Sequence, residues 1–506
     1  MKNIFKRALT LSLGAVMSLG MVACGDNGGN NGGNGGATAD GKVKIIVPDL
    51  ITSSEGINEW TLARQAAFKE AYPNIEVEYK SNPTTDPAKN MQAIITNLSN
   101  QEMAYTLLVA NSNTYARTVY QSKLTCDMSD YFTAEELAVY DSKVLSGYYD
   151  GDELVGIPYR QEFPLLGFNR KHLRSTYVKE QLGVDPNAPD ANAQVDAIID
   201  SIKTWDDFLA VAKKMSGTYA VEGSNVTVSG YGGYLTDYYI GLGVWNVANG
   251  YNTVTQHESG KMDVDMTNLQ TVETLEFLQR MRNEGALTHD TNLGYTDFFN
   301  QIFAKKIASF IYYPTWSTSW FEPNGIYAEE IKVINIPYGP SIEALKEQAK
   351  TDPSVEVPST NVNFSLSYVL NARATEEQKK AAITYINFMN NEEAVREKFD
   401  YAKEEMIPMV TVPAYSFDDE YLTNTVFASI PTDWKSALTN SIRDYYVFDQ
   451  NSDAFIQYIA TAVPGIVKGE DGSGKYNTRE LLINRLTALN GTIKSQFLDG
   501  YNSNFN

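Results

Sequence analysis

The chain has 506 residues, 43% of them hydrophobic and 20% charged, which is ordinary for a globular protein. Its formal net charge of -21 argues against binding to nucleic acid or to a broad anionic lipid surface, because both need clustered Lys and Arg. About 466 residues follow Asp40, more than one hydrophobic core usually accommodates, so two domains or lobes are expected.

The N-terminal segment has the layout of an export signal. Three basic residues precede a mostly apolar stretch, 8–22, and the small Ala23 comes directly before Cys24. The stretch is short of the ~20 apolar residues that a spanning helix needs. Residues 21–24 (MVAC) resemble the lipobox of bacterial lipoproteins, which implies a signal peptide over 1–23 and lipid on the cysteine. The alternative is an ordinary secretory signal with an incidental cysteine.

Residues 24–40 are predicted to be the lipidated cysteine and a flexible tether. The tract 25–36 contains only Gly, Asn and Asp, with no apolar side chain to bury. With Cys24 used for lipid, only Cys126 remains, so no intramolecular disulfide is expected and a buried, inert thiol is favoured. The predicted location is the outer face of the cytoplasmic membrane.

The first predicted elements alternate strand and helix. They are a strand over 42–47, a helix over 58–72 that Pro73 stops, a strand over 75–79, a helix near 88–98 and a strand over 106–110. This order predicts a mostly parallel sheet covered by helices.

Two later helix starts carry capping-box patterns, at 204–207 and 375–378. The stretches 184–192 and 346–361 are rich in proline and polar residues and are predicted to be loops.

Five short motifs keep their order between residues 42 and 440. They are 68–77 (FKEAYPNIEV), 154–159 (LVGIPY) with 166–170 (LGFNR), 204–208 (TWDDF), 303–310 (FAKKIASF) followed by Trp316, and the strand and helix across 367–393. Together these motifs resemble the extracellular solute-binding proteins of bacterial ABC importers, in particular the sugar-binding group typified by maltose-binding protein. Lys306 replaces the usual Gly, and the tail beyond Asp449 matches little.

The resemblance implies an α/β fold of two lobes, each a sheet flanked by helices, with a ligand cleft between them. Lobe one would hold 41–162 plus 361–412, and lobe two 163–360 plus 413–506. Ligand would shift the population towards a closed form through hinge bending, because it touches both lobes. The resemblance also implies permease subunits as partners, and we expect a monomer.

Two tryptophans are candidate ligand platforms through the resemblance. Trp316 matches the tryptophan that follows the family's "KAAM" strand and lines the cleft of lobe two. Trp434 resembles the tryptophan in the family's last third. Burial in the core is the alternative for both.

Polar residues after two predicted strands are further candidates. Asn111 and Asn113 follow the third strand, and Ser53 and Glu55 follow the first. Open parallel sheets bind ligands at the carboxyl ends of their strands, so contacts with solute are expected there. Solvated caps are the alternative.

Tyr159, Arg160 and Glu162 lie at the predicted crossover between lobes, where the charged pair could bind solute or pair with itself. Tyr238 and Trp245 belong to the densest aromatic cluster, which either walls the cleft or packs a helix.

No catalytic, cofactor or metal motif is found: the three histidines share no ligand spacing, and no GxSxG elbow occurs. We therefore expect a non-enzymatic lipoprotein that captures a sugar, in particular an oligosaccharide, for a permease. One alternative is a secreted glycoside hydrolase or esterase. Another is the same fold with a peptide, polyamine or oxyanion as solute, for which Arg160 is the one candidate anchor.

Overall fold

The computed structural model describes residues 41–49, 58–81, 96, 98, 105–110, 112–256, 261–314, 321–407, 412–447, 453–469 and 478–503. These residues belong to one compact unit, Ala37–Asn506. The predicted signal peptide, Cys24, the tether and most of the helix predicted near 88–98 lie outside the described residues.

The described strands are short and are distributed along the whole chain. In order they are β1 Val43–Asp49, β2 Ile75–Ser81, β3 Leu107–Ala110, β4 Tyr149–Asp150, β5 Glu153–Leu154, β6 Ile157–Glu162, β7 Leu165–Asn169, β8 Gly217–Val221, β9 Ser224–Gly232, β10 Val254–Gln256, β11 Met262–Val264, β12 Ile307–Tyr312, β13 Ile331–Ile334, β14 Val362–Leu370, β15 Val412–Pro413 and β16 Tyr446–Val447.

The described α-helices cover the sheets formed by these strands. In order they are α1 Asn58–Ala71, α2 Asn113–Gln121, α3 Ala134–Ala138, α4 Ser142–Ser146, α5 Arg170–Leu173, α6 Thr176–Leu182, α7 Ala191–Asp200, α8 Trp205–Met215, α9 Val244–Ala248, α10 Leu269–Asn283, α11 Tyr295–Phe303, α12 Pro340–Ala349, α13 Glu376–Asn390, α14 Glu392–Glu404, α15 Asp419–Tyr421, α16 Thr432–Arg443, α17 Asp453–Lys468, α18 Arg479–Ile493 and α19 Asp499–Asn502.

The capping-box patterns form as predicted. Thr204 and Thr375 each accept a hydrogen bond from the backbone N–H three residues on, and the side chain at that position accepts one from the backbone N–H of the threonine. The loop predicted over 346–361 begins later than predicted, because α12 continues to Ala349. The loop predicted over 184–192 ends close to the start of α7 at Ala191.

The first sheet has the strand order β15-β6-β14-β16, and β3 also pairs with β14. A separate parallel pair, β1 with β2, lies beside it, and the backbone N–H of Thr106 donates to the carbonyl of Ile46 at 2.8 Å. β14 is antiparallel to β3 and to β6 and parallel only to β16. The predicted mostly parallel sheet is therefore wrong.

The antiparallel pairing follows from the route of the chain. β6 runs out of the first sheet into β7, whereas β14 enters the first sheet from the segment that follows β13. A strand that leaves the first sheet towards the second and a strand that returns from the second sheet at the same boundary must run in opposite directions. Among the strands predicted from the sequence, β1 and β2 are joined by α1 on one side of that boundary, and they pair in the predicted parallel direction.

The second sheet has the order β13-β7-β12-β9-β8. β12 is parallel to β9, with Ser309 opposite Tyr231, and antiparallel to β7, with Tyr312 opposite Leu165. The carboxyl ends of β9 and β12 therefore lie at the end of the second sheet where β7 begins. Because β7 directly follows β6 of the first sheet, this end of the second sheet adjoins the first sheet.

The C-terminal helices complete the second hydrophobic core. Ile459 and Val463 of α17 and Leu486 of α18 are fully or almost fully buried in that core with side chains of α10. The tail beyond Asp449 is thus part of the second half of the molecule where it is described. β16 differs, because it hydrogen-bonds to β14 in the first sheet although it lies inside the range predicted for lobe two.

Candidate functional site

Three segments meet where the two sheets adjoin. β6 passes into β7 through Phe163 and Pro164 alone, β14 starts the return to the first sheet, and β15 pairs with β6. β6 and β14 are paired from Phe364 opposite Glu162 onwards. The ends of β6, β14 and β15 are therefore hydrogen-bonded to one another at the point where the first sheet adjoins the second.

Two side-chain amides tie these three segments together. Asn363 Nδ2 of β14 donates to Gln161 Oε1 of β6 at 2.7 Å, and Gln161 Nε2 donates to the carbonyl oxygen of Pro413 in β15 at 2.8 Å. Both amides are almost completely buried. We refer to this chain of bonds through Asn363, Gln161 and Pro413 as the amide relay.

Arg160 and Glu162 form a buried ion pair on β6. The Arg160 guanidinium donates to Glu162 Oε1 at 2.6 Å, and the two side chains are 11% and 10% exposed. Residues two apart on a strand lie on the same side, which allows this contact. Of the two roles considered from the sequence, pairing between the residues is therefore observed.

Asp237 and Tyr313 extend from the second sheet towards Glu162. Asp237 follows the end of β9, and Tyr313 directly follows β12, so parallel strands bring both to the same edge. Burial raises the pKa of Asp237 to about 6, although the backbone N–H groups of Ile240 and Tyr239 bond to it and oppose the rise. Asp237 Oδ1 accepts from Ile240 N at 2.9 Å.

The pKa of Tyr313 is raised by its surroundings. Burial raises this pKa well above its ordinary value, and the negative charges of Asp237 and Glu162 raise it further. Tyr313 thus lies within electrostatic reach of one carboxylate from the second half of the molecule and one from the crossing strands. We refer to Arg160, Glu162, Asp237 and Tyr313 as the hinge cluster.

Aromatic rings border the hinge cluster. The ring centroid of Phe364 in β14 lies 5.8 Å from that of Tyr313 and 6.0 Å from that of Tyr239. Tyr234, in the loop before Asp237, stacks on Phe298 with a centroid distance of 5.5 Å. Rings next to carboxylates suit a ligand that has both C–H faces and polar hydrogen-bond donors.

Tyr159 is the extra residue of a bulge in β6. Arg160 lies opposite Leu366 whereas Pro158 lies opposite Ser367, which leaves Tyr159 without an opposite residue in the register. Bulges beside functional sites re-aim side chains. Here the Tyr159 ring stacks on Tyr368 with a centroid distance of 4.6 Å and stays half-buried.

Two of the three predicted tryptophans, Trp434 and Trp245, belong to the described residues, and both lie in the core. Trp434 is 0% exposed, and its Nε1 donates to the carbonyl of Ile331 at 2.9 Å. Trp245 is also 0% exposed, and its Nε1 donates to Tyr231 Oη at 3.0 Å. Their faces contact protein, so Trp434 is a packing residue and not the predicted ligand platform. For Trp245, predicted either to wall the cleft or to pack a helix, packing is observed.

Tyr238 and Asn113 are also buried. Tyr238 is 1% exposed and its ring packs edge-on against Tyr239 at 5.5 Å. Asn113 is 3% exposed at the first position of α2, which Ser112 caps by accepting from Tyr115 N. Helix packing is therefore observed for Tyr238, and Asn113 is a helix-start residue rather than an exposed loop residue.

Four predicted site residues, Ser53, Glu55, Asn111 and Trp316, lie outside the described residues. Asp237 and Tyr313 were missed as site residues. The rule that pointed to Asn111, a polar residue after the carboxyl end of a strand, also applies to Asp237 after β9 and to Tyr313 after β12. Applied to the second sheet, it would have found both.

The described residues contain few other groups that suggest a chemical or membrane role. No cluster of three or more His, Cys, Asp or Glu side chains that could hold a metal ion occurs there. The described helices include none long and apolar enough to cross a membrane. Cys126 is half-buried, and burial raises the pKa of its thiol, which makes it a poor nucleophile.

Two helix-covered sheets joined by crossing strands, with carboxylates and rings gathered at the crossing, define a two-lobed binding protein. The chain belongs to the family of bacterial extracellular solute-binding proteins, because the model of that family matches residues 63–414. The match covers more than half of the chain and ends before the C-terminal helices. None of the curated proteins is similar enough in sequence to count as a relative.

Solved structures share the fold at low sequence identity. A cyclic α-maltosyl-1,6-maltose binding protein from Arthrobacter globiformis has a TM-score of 0.60 at 13% identity, with 90% of this chain and 100% of that chain covered. A Thermotoga lettingae solute-binding protein bound with α-D-tagatose gives 0.60 at 16% identity, with 88% and 99% covered. A Thermus thermophilus maltotriose binding protein bound with maltotriose gives 0.57 at 14% identity, with 89% and 100% covered.

Proposed function

We propose that this chain is a membrane-anchored extracellular receptor that captures a sugar, in particular an oligosaccharide, and delivers it to the permease of an ABC transporter. The hinge cluster and its neighbouring rings carry this proposal. Sugars present C–H faces that pack on rings and hydroxyl groups that donate to carboxylates. The names of the similar solved structures, which include maltotriose and tagatose complexes, support the same solute class.

The proposed site includes residues from both lobes. Glu162 and Arg160 would contribute from the crossing strands, and Asp237 and Tyr313 from lobe two. Ser53, Glu55, Asn111 and Trp316 remain proposed contacts. A solute that binds residues of both lobes stabilises the closed form, which is the form that a permease can recognise.

The anchor would be the lipid on Cys24. The tether that follows it would keep the two lobes near the permease and raise their local concentration there. No chemistry on the solute is part of this proposal.

Titration calorimetry on the full chain in detergent tests the solute class. Maltotriose, tagatose, a tripeptide and spermidine are titrated separately, and binding of a sugar but neither of the other two is expected. A bound sugar at about 100 times its dissociation constant also stabilises the protein by about 2.7 kcal/mol, which melting detects. Binding of the tripeptide alone would refute the sugar class.

A pair of tyrosine variants tests the location of the site. Tyr313→Ala is expected to weaken sugar binding at least tenfold. Tyr327→Ala, at a tyrosine that is 51% exposed on the same lobe, should leave binding unchanged. Chromatography of the sugar after long incubation tests the alternative of a hydrolase, for which cleaved products would be found.

A further inference from the structure

A groove lies outside the hinge cluster, between α7 and α16. Both helices contact β13, and the segment 332–338, which includes most of β13, forms the floor between them. The volume of the groove is about 960 Å³, and no residue of the hinge cluster lines it. Ligand pockets typically have volumes of about 300–1,000 Å³, so there is room for an oligosaccharide. We refer to this feature as the α7–α16 groove.

The two walls of the groove carry short side chains. α16 presents Thr432, Ser436 and Asn440, which are four residues apart and therefore share one face of the helix. All three are exposed, and their side chains make no hydrogen bond to another described residue. α7 presents Ala193 and Ala197 at the same spacing. The groove is therefore open, and the hydroxyl and amide groups of α16 are available to a ligand.

Charged side chains at the floor of the groove are held in place by one another. Lys332 is 5% exposed, and its Nζ lies 2.8 Å from Asp200 Oδ1. The Arg170 guanidinium donates to Asp196 Oδ2 at 2.8 Å and to Asp433 Oδ2 at 3.0 Å. Polar groups that are already fixed lose little conformational entropy when a ligand binds. The floor thus offers donors and acceptors in a prearranged geometry.

The charges that line the groove balance. Four basic and four acidic side chains line it, which disfavours a solute of high net charge. A neutral solute with many hydroxyl groups suits such a lining, because each hydroxyl can both donate and accept. Tyr338 adds a half-buried aromatic ring, with Lys346 Nζ 4.0 Å from its centroid. Aromatic rings beside hydroxyl, amide and paired charged groups are the combination that binds sugars.

We propose that the α7–α16 groove is a second carbohydrate site, which binds a neutral oligosaccharide separately from the hinge cluster. This inference rests on the proposed sugar-binding function and adds a site to it. Two sites on one chain raise the effective concentration of a long oligosaccharide at the second site once it has bound the first.

Titration calorimetry of the full chain in detergent with maltoheptaose tests the inference. Two sites per chain are expected. Ser436→Tyr and Ala197→Tyr each place a large ring in the groove, from opposite walls, and each should weaken binding at one site at least tenfold. Asn192→Tyr, at an exposed position of α7 outside the lining of the groove, is the matched control and should keep both sites.

The outcomes separate this inference from the proposed function. Tyr313→Ala should weaken the other site and keep the groove site. A single site that Ser436→Tyr and Ala197→Tyr leave intact overturns the inference, as do two sites of unchanged affinity in both variants, while sugar binding stands. A single site that both variants abolish supports the groove and overturns the location at the hinge cluster. If maltoheptaose, maltotriose and tagatose all fail to bind, the proposed sugar function itself fails.

Discussion

At the scale of single residues, Asp237 combines a cost in stability with a position in the proposed site. Its ordinary pKa of 3.8 is raised to about 6 in the folded protein. A folded-state pKa above the unfolded value means that protonation favours folding. The free energy of unfolding is therefore expected to fall as the pH rises from about 4 to about 6, and the loss remains at higher pH.

Asp237→Asn tests this cost. The amide oxygen can still accept from Ile240 N, and the variant carries no charge to bury. At pH 7 its free energy of unfolding should exceed that of the unchanged protein by up to about 3 kcal/mol, and at pH 3.5 the two should be nearly equal. Urea unfolding at both pH values measures the difference. Equal stability at pH 7 would contradict the argument.

Trp434 illustrates the opposite case, a large ring used for packing alone. Trp434→Ala should destabilise the protein by about 3–5 kcal/mol, because it leaves a cavity beside Tyr312. Trp434→Phe keeps an aromatic ring and loses mainly the hydrogen bond from Nε1 to the carbonyl of Ile331. Loss of that bond should lower the free energy of unfolding by about 1 kcal/mol, in addition to the effect of the smaller ring. Calorimetric titration should find the sugar affinity of Trp434→Phe unchanged.

At the scale of elements, the amide relay joins three segments that are far apart in sequence. Gln161 is the central member, since it accepts from Asn363 and donates to Pro413. The relay fixes the spacing of β6, β14 and β15 where the chain passes between lobes. Any bending between the lobes would therefore have to move these three segments together.

Gln161→Met tests the relay. It keeps the volume of the side chain but leaves the Asn363 amide and the Pro413 carbonyl without their partner, which should cost about 2 kcal/mol. Gln194→Met, at an exposed position of α7, is the matched control and should cost less than about 0.5 kcal/mol, as surface substitutions usually do. Urea unfolding measures both, and equal effects would contradict the role of the relay.

Local signals in the sequence predicted elements well and predicted pairing poorly. The helix predicted over 58–72 ends at Ala71, because Pro73 stops it, and the capping boxes form where their spacing is right. The direction of β14 had no such signal, because it depends on a crossing from the second sheet. Trp434, predicted as a ligand platform, and Trp245, predicted either to wall the cleft or to pack a helix, both lie in the core. Aromatic composition could not decide this, because it does not distinguish a core ring from a ligand-facing one.

At the scale of the whole molecule, the N-terminal cysteine and the C-terminal helices have separate roles. The proposed lipid on Cys24 places the protein, whereas α17 and α18 complete the core of lobe two. The family model ends at residue 414, before these helices begin. Their buried leucines and isoleucines show that they are structural rather than peripheral.

Cys24→Ser tests the anchor. Without the thiol no lipid can be attached, so the chain should move from the membrane fraction to the soluble fraction of the cells or medium. Cys126→Ser is the matched control and should stay with the membranes. Fractionation followed by immunoblotting measures both. Retention of Cys24→Ser with the membranes would refute anchoring through this residue.

The burial of α18 in the core of lobe two has a consequence for how the protein is made. That core contains Phe168 and also Leu489, so it cannot be complete until Leu489 has left the ribosome. Contacts between such distant parts of a chain form slowly. A protein that is exported unfolded must stay unfolded until it has crossed the membrane, and a core that closes late would favour such export of this chain.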